Sequence, residues 1–311
     1  MIDRAYFAPR PLIYYRDFGF YFAIFLIAMV WGVNASWPKV IVPWLIAAAG
    51  LHRAGLFCHE IVHIRDAALR PFRHLYTWTV ALIVMVPPLR FEVPHLAHHR
   101  LGVFGTAEDP QYPLLRSNPV AMVMLLVVIP FIVPFTNLLM TLTAAAGAFR
   151  AEQALDRWAM RRFGFSLSSP LSGEEQAQVS LHARVTLLLL AATLVLMPEI
   201  LPFYYAVLVA GWALLTARIP LEHELERLSE VSGRREQMID SFTIESPFAL
   251  VVQPVGFRFH TAHHMYPGVP YHNLPALHAH LKRTVPEYRD SIISLWRAIR
   301  GPKRGAALPG T

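Results

Sequence analysis

Three histidine clusters hold most of the chemistry this chain could perform: His59-Glu60-Ile61-Val62-His63, His95-Leu96-Ala97-His98-His99 and His260-Thr261-Ala262-His263-His264. Spacings of i, i+4 or i, i+3, i+4 bring the imidazoles of each box onto one face of one helical turn, where they can meet a metal. Eight of the fifteen histidines lie there. Imidazole suits iron, copper, nickel and zinc, and one metal of octahedral habit takes only about six ligands. Eight imidazoles therefore point to two metals. A ninth candidate, His223 in Leu221-Glu222-His223-Glu224, follows the last long apolar run. The lone Cys58 reads as a small thiol packed beside the first box, so disulfides and iron–sulfur ligation within the chain are excluded and redox electrons must come from another protein.

The elements that position these residues are apolar. Hydrophobic residues make up 55% of the 311-residue chain and charged residues 16%, with a mean hydropathy of +0.39. That composition describes an integral membrane protein. Apolar runs fall at 18–33, 38–57, 73–89, 120–149, 184–197 and 200–217. Val33-Asn34-Ala35 resembles a signal-peptidase site, but the run before it is long enough to span, so an uncleaved first span is expected.

If three boxes build one site, an even number of crossings separates any two of them. The 73–89 run, broken by Pro87-Pro88, must then be re-entrant or interfacial, and 120–149, interrupted by Pro130 and Pro134, must be a broken hairpin or a partly submerged element. The runs on either side of Pro198-Glu199 form a helical hairpin. Arginines crowd the site-side segments (Arg53, Arg65, Arg70, Arg90, Arg100, Arg150, Arg157, Arg218, Arg227), whereas the opposite loops hold only Lys39. By the positive-inside rule, the site and both termini are cytoplasmic, in what is expected to be a bacterial cytoplasmic membrane. The expected fold is a single all-α domain over 1–311: four transmembrane helices (18–33, 38–57, 184–197, 200–217), re-entrant or interfacial helices, and a helical cytoplasmic cap over 218–300. The tail after Arg300 is expected to fray.

The order of the boxes, with His223 after the fourth span, resembles the membrane fatty acid desaturase and hydroxylase superfamily. Gly105-Thr106-Ala107-Glu108-Asp109-Pro110 is similar to its acidic Asp-Pro segment. Met265-Tyr266-Pro267-Gly268-Val269-Pro270-Tyr271-His272-Asn273-Leu274-Pro275 resembles its continuation after the third box. The resemblance covers about 50–285 and implies a non-haem diiron centre that uses O₂ and external electrons to attack an unactivated C–H bond. By position it implies His59, His63, His95, His98, His99, His223, His260, His263 and His264 as ligands. Desaturation of a lipid acyl chain is the expected reaction, because the Tyr271 to Pro275 continuation looks closer to acyl-lipid desaturases than to carotenoid ketolases. Hydroxylation, or a carotenoid ketolase or hydroxylase activity, is the alternative. Expected partners are the bilayer, a lipid or fatty acyl substrate, and a donor such as ferredoxin or rubredoxin with its reductase; nucleic acid is not expected.

Glu60 and Asp109 are candidates to orient ligand imidazoles, with His272 a further residue near the site. His52 reads as a core or entrance histidine, and His74, His182, His278 and His280 mostly as interfacial or exposed. Tyr6-Phe7 and Tyr14-Tyr15 read as interfacial anchors. The apolar pattern through Ile292, Ile293, Leu295, Trp296 and Ile299 suits either the membrane surface or packing against the cap. Two rival classes remain. His59-Glu60-Ile61-Val62-His63 also fits a membrane zinc metallopeptidase, in which the glutamate activates water, but two boxes would then be unexplained. A metal transporter or store would need ionisable groups inside the spans, where few occur.

Overall fold

The computed structural model describes residues 2–106, 108–113, 115, 118–163, 171–226 and 233–300. Ala107, Arg227 and the tail after Arg300 thus lie outside the described residues. The helices, in chain order, are α1 (Pro11–Val33), α2 (Ile41–Gly55), α3 (Phe57–His63), α4 (Arg70–Thr77), α5 (Val80–Val84), α6 (Pro88–His98), α7 (Pro119–Val123), α8 (Ile129–Ala145), α9 (Phe149–Phe163), α10 (Gly173–Leu196), α11 (Ile200–Arg218), α12 (Arg234–Asp240), α13 (Ala249–Val252), α14 (His260–Met265), α15 (Leu274–Thr284), α16 (Pro286–Asp290) and α17 (Leu295–Arg300). The all-α expectation omitted one small feature: β1 (Thr243–Ile244) and β2 (Ile292–Ile293) pair in parallel within the cap.

Among the described residues, five helical runs are long and apolar enough to cross a membrane: Pro11–Val33, Ile41–His63, Pro119–Ala145, Gly173–Leu196 and Ile200–Leu221. Four coincide with the expected spans, extended at their ends. The 73–89 run yields no such helix; α4 and α5 are short, Met85 is left-handed with φ 59°, and Pro88 opens α6. The 120–149 run differs from the hairpin reading, because the chain stays helical through a π-helical segment, Met124–Val128, and accommodates Pro130 and Pro134. A proline at the first turn of α8 costs little, and π segments and prolines are where long helices bend.

The spans pack by close backbone approach and aromatic wedges. A side chain at Gly50 would lie 3.0 Å from the Phe25 backbone nitrogen, so glycine permits α2 to touch α1. Trp44 Nε1 donates to the Ala206 carbonyl at 2.9 Å, joining α2 to α11. Beneath the first box, Tyr14, Phe18, Phe57, Phe72 and Tyr271 form one buried edge-to-face cluster. Tyr14 is therefore a core residue, contrary to the interfacial role expected of it; its phenol is fully buried because Glu60 accepts its proton at 2.9 Å.

A buried ion pair fixes the helix that carries the second box. Arg90 on α6 meets Glu152 on α9 at 2.8 Å, the Thr143 hydroxyl donates to the same carboxylate at 2.6 Å, and Arg90 donates to the Met140 carbonyl at 3.3 Å. Glu152→Ala leaves a buried guanidinium without its counter-charge. It should cost about 3 kcal/mol, read as a lowered unfolding midpoint in detergent; an unchanged midpoint would show that the pair does not anchor α6.

Candidate metal centre

Each box lies on a short helix that a neighbouring element holds in place. The first occupies α3, directly after the kink that ends α2 at Leu56. The second closes α6, with His99 as its C-cap, and Gln237 Nε2 on α12 donates to the His99 carbonyl at 3.0 Å. The third opens α14, where Thr261 ties back to the Ser241 carbonyl at 2.7 Å. His223 follows a 3₁₀ turn at the end of α11 and pairs as a bridge with Ser241.

The structure brings all nine expected histidines together, in two adjacent groups. Ring nitrogens of His59, His63, His95, His99 and His263 lie within 4.8 Å of one another, as do those of His98, His223 and His264. His260 joins the second group: its Nε2 is 2.9 Å from His223 Nε2 and 3.1 Å from His264 Nε2. In the first group, Nε2 of His63 and His95 approach to 2.8 Å, and those of His263 and His99 to 3.2 Å. The groups abut through His99 and His264, whose ring centroids are 4.3 Å apart.

Seven of the nine are buried, and only His63 and His99 are partly open. Burial pushes the pKa values of His95, His99, His223, His260, His263 and His264 well below the usual histidine range, with neighbouring imidazoles adding repulsion. These rings are thus neutral at physiological pH and present lone pairs. A nitrogen pair such as His260 and His223 can share one proton, but three Nε2 atoms converging on one point cannot all be satisfied that way. Neither ring nitrogen of His59 has a hydrogen-bond partner, though both are buried. Orphaned, neutral, borderline donors spaced about 3 Å apart fit divalent metals bound at about 2.1 Å per nitrogen.

Around the nitrogens, hydrogen bonds set ring orientation. His98 Nδ1 donates to Asp109 Oδ2 at 2.8 Å, as expected from the sequence. Asp109 also accepts the backbone N–H of Gly105 at 2.9 Å and of Gln111 at 3.0 Å; Gly105 supplies the φ of 65° that this tight turn requires. Burial opposes ionisation of Asp109, but His98 and these donors outweigh it and hold its pKa below the ordinary value. Two positioning residues escaped sequence reading. Gln111 Oε1 accepts from His95 Nδ1 at 2.9 Å, and Asp240 lies 3.5 Å from His223 Nδ1 while accepting from the Tyr112 hydroxyl at 2.7 Å. Gln111 directly follows the Asp-Pro segment, two residues beyond Asp109; Asp240 had no local signal, being brought in by α12.

Other expectations are corrected. Glu60 lies 3.9 Å from His59 Nδ1, beyond hydrogen-bond range, and its Oε2 instead accepts from Tyr14 and from the Tyr271 backbone N–H at 3.0 Å. It joins the first box to the segment after the third. Committed to those donors, Glu60 is not placed to activate water in the peptidase manner. His272 lies outside both groups: its Nε2 accepts the Arg10 backbone N–H at 3.1 Å and its Nδ1 donates to Asn273 at 3.0 Å. His52 is a core residue donating to the Val252 carbonyl at 3.1 Å. His182 and His278 are buried rather than exposed, bonding the Thr77 carbonyl at 3.2 Å and the Tyr288 hydroxyl at 2.8 Å.

A chain that buries three histidine boxes and a ninth histidine at the ends of apolar helices belongs to a known class. The fatty acid desaturase family model matches residues 35–296, and the chain is a member of that family, an integral membrane protein of the desaturase and hydroxylase superfamily. Among its relatives, a ceramide hydroxylase of Caulobacter vibrioides (strain NA1000 / CB15N) is 27% identical, over 88% of this chain and 82% of that protein.

Asp109→Asn keeps the side chain's size but loses the charge behind His98. It should weaken divalent-metal affinity about 10-fold or more, measured by competition with a chelator, whereas Glu60→Gln should lower the unfolding midpoint and leave that affinity within about 3-fold.

Proposed function

We propose that the chain oxidises a C–H bond of a lipid acyl chain at two iron ions, using O₂ and electrons from a separate carrier. The carrying observation is the convergence of nine histidines into a five-membered and a four-membered group. His59, His63, His95, His99 and His263 would hold one ion, and His98, His223, His260 and His264 the other. Bound iron would supply the capacity to reduce O₂ and to oxidise a C–H bond, which no amino-acid side chain has. The chain's own residues hold the ligands and keep water out. Phe91 stacks on His95 at 4.6 Å, Phe257 lies 4.5 Å from His59, and Phe104 lies 5.0 Å from His264. Arg218 covers the Phe257 ring at 4.1 Å while clamping Glu222 at 2.7 and 2.9 Å, so the wall at the mouth of the last span is fixed.

The reaction branch we favour is hydroxylation, supported by the ceramide hydroxylase relative, with an acyl chain of a sphingolipid-like lipid as substrate. Desaturation, the sequence expectation, is the second reading and is favoured by the family matched over residues 35–296. The two share an oxidant and differ in how the substrate is held after hydrogen is removed, a matter of about an ångström.

We further infer four crossings, with the site and termini on the cytoplasmic face. Of the five long helices, three lie between the second and third boxes, so three crossings there would put these boxes on opposite faces. Pro119–Ala145 is the one that returns. Just before it, the Leu115 N–H donates to the Leu225 carbonyl beside His223 at 2.9 Å. At its end, the Ala144 and Ala145 carbonyls accept from Ser180 at 2.8 Å and Arg184 at 3.2 Å, near the charged start of α10.

Expressed in a bacterium with a compatible ferredoxin and reductase and supplied with ¹⁸O₂, the protein should yield lipids that gain one labelled oxygen. Loss of two hydrogens without label would support the second reading, and unaltered lipids would refute both. His263→Ala should lower product by more than about 100-fold while the protein remains in the membrane; retained turnover would contradict the ligand assignment.

A further inference from the structure

Two cap helices remote from the imidazoles present an apolar face that is exposed among the described residues. On α13 and the residue before it, Phe248 and Val251 are 74% and 56% exposed; on α17, Trp296 and Ile299 are 59% and 56% exposed. Between them runs an open groove of about 600 Å³ lined by Phe248, Ile292, Leu295, Trp296 and Ile299, with Glu245 at its rim. That carboxylate is already engaged by Lys282 at 2.6 Å and His278 at 3.0 Å.

The level of this face is fixed by its inner contacts. Arg53 and His52, at the site-side end of α2, bond the Leu250 and Val252 carbonyls at 2.9 and 3.1 Å. Leu221, where the last apolar run ends, packs in one cluster with Ala249 of α13 and Ala298 of α17. Both helices therefore sit in the plane where two spans leave the apolar core. The apolar flank of α2, Val42, Leu45 and Ile46, is itself exposed and must meet lipid up to that plane. Arg297 and Arg300 are exposed on α17, and Arg300 lies 4.5 Å over the Trp296 ring. Aromatic and aliphatic side chains flanked by arginine at this depth are the composition that settles at the headgroup and acyl boundary.

We propose that α13 and α17 form a membrane-seated foot: Phe248, Val251, Trp296 and Ile299 enter the site-side leaflet, and Arg297 and Arg300 engage anionic headgroups. The foot clamps the cap to the bilayer on the side of the last span, independently of which reaction the centre performs.

The test uses the full chain in nanodiscs of phosphatidylcholine and phosphatidylglycerol, with Trp296→Phe as the reference, so that the difference in tryptophan emission isolates Trp296. With acyl chains brominated near the headgroup, that difference should fall about twofold or more and resist aqueous acrylamide. Quenching by acrylamide alone would overturn the proposal. Shielding from both quenchers, the signature of a second copy or a protein partner on this face, would overturn it equally. Should Trp296→Phe misfold by circular dichroism, Val251→Cys carrying a bimane label gives the same readout, judged by the same outcomes.

Discussion

Nine imidazoles directed at one another in a space largely closed to water are an unfavourable arrangement on their own. Each buried nitrogen without a partner costs about 1–3 kcal/mol, so the surrounding structure must hold the rings where they would not otherwise converge. Much of the molecule can be understood as that scaffold. Arg90 and Glu152 fix α6, Gln237 and Thr261 tie the second and third boxes to α12 and its C-cap Ser241, and Glu60 links α3 to Tyr271. The same strain suits the cluster to a cation: a metal held there would convert opposed lone pairs into a shared bond and give back the desolvation cost.

The requirement that the rings meet also constrains how the chain threads the bilayer. Five helices satisfy length and hydropathy, and neither criterion distinguishes a crossing helix from one that returns. Helical hydrogen bonds are internal, so a submerged helix satisfies its backbone wherever it ends. What distinguishes them is where the ends are bonded, and the carbonyls of Ala144 and Ala145 meet the polar first half of α10. The π-helical segment and two prolines in that run are where the bend required by the proposed return would fall.

The boxes were legible because helical spacing is a local property: i and i+4 share a face whatever the tertiary fold. The Asp109 contact to His98 was legible for a related reason, since eleven residues and a glycine turn separate the pair. Long-range choices were not. Glu60 occupies a helix position suited to either a metal or the hydrophobic side, and only the arrival of Tyr14 and the Tyr271 amide decides between them. Asp240 and Gln111 carry no spacing signature, and His182 and His278 looked exposed because the Thr77 carbonyl that pairs with one and the Glu245 carboxylate that pairs with the other come from distant segments. Pro130 and Pro134 do not end the helix in 120–149, so the broken-hairpin half of that reading is not formed, whereas the partly submerged half is the one proposed above.

The claim at the centre of this account is that the five-histidine and four-histidine groups are two distinct metal sites. Metal analysis with Mössbauer spectroscopy on ⁵⁷Fe-grown, anaerobically purified protein tests it most directly. Two irons per chain, in a coupled pair, is the predicted result; one metal per chain, or zinc in place of iron, would contradict it.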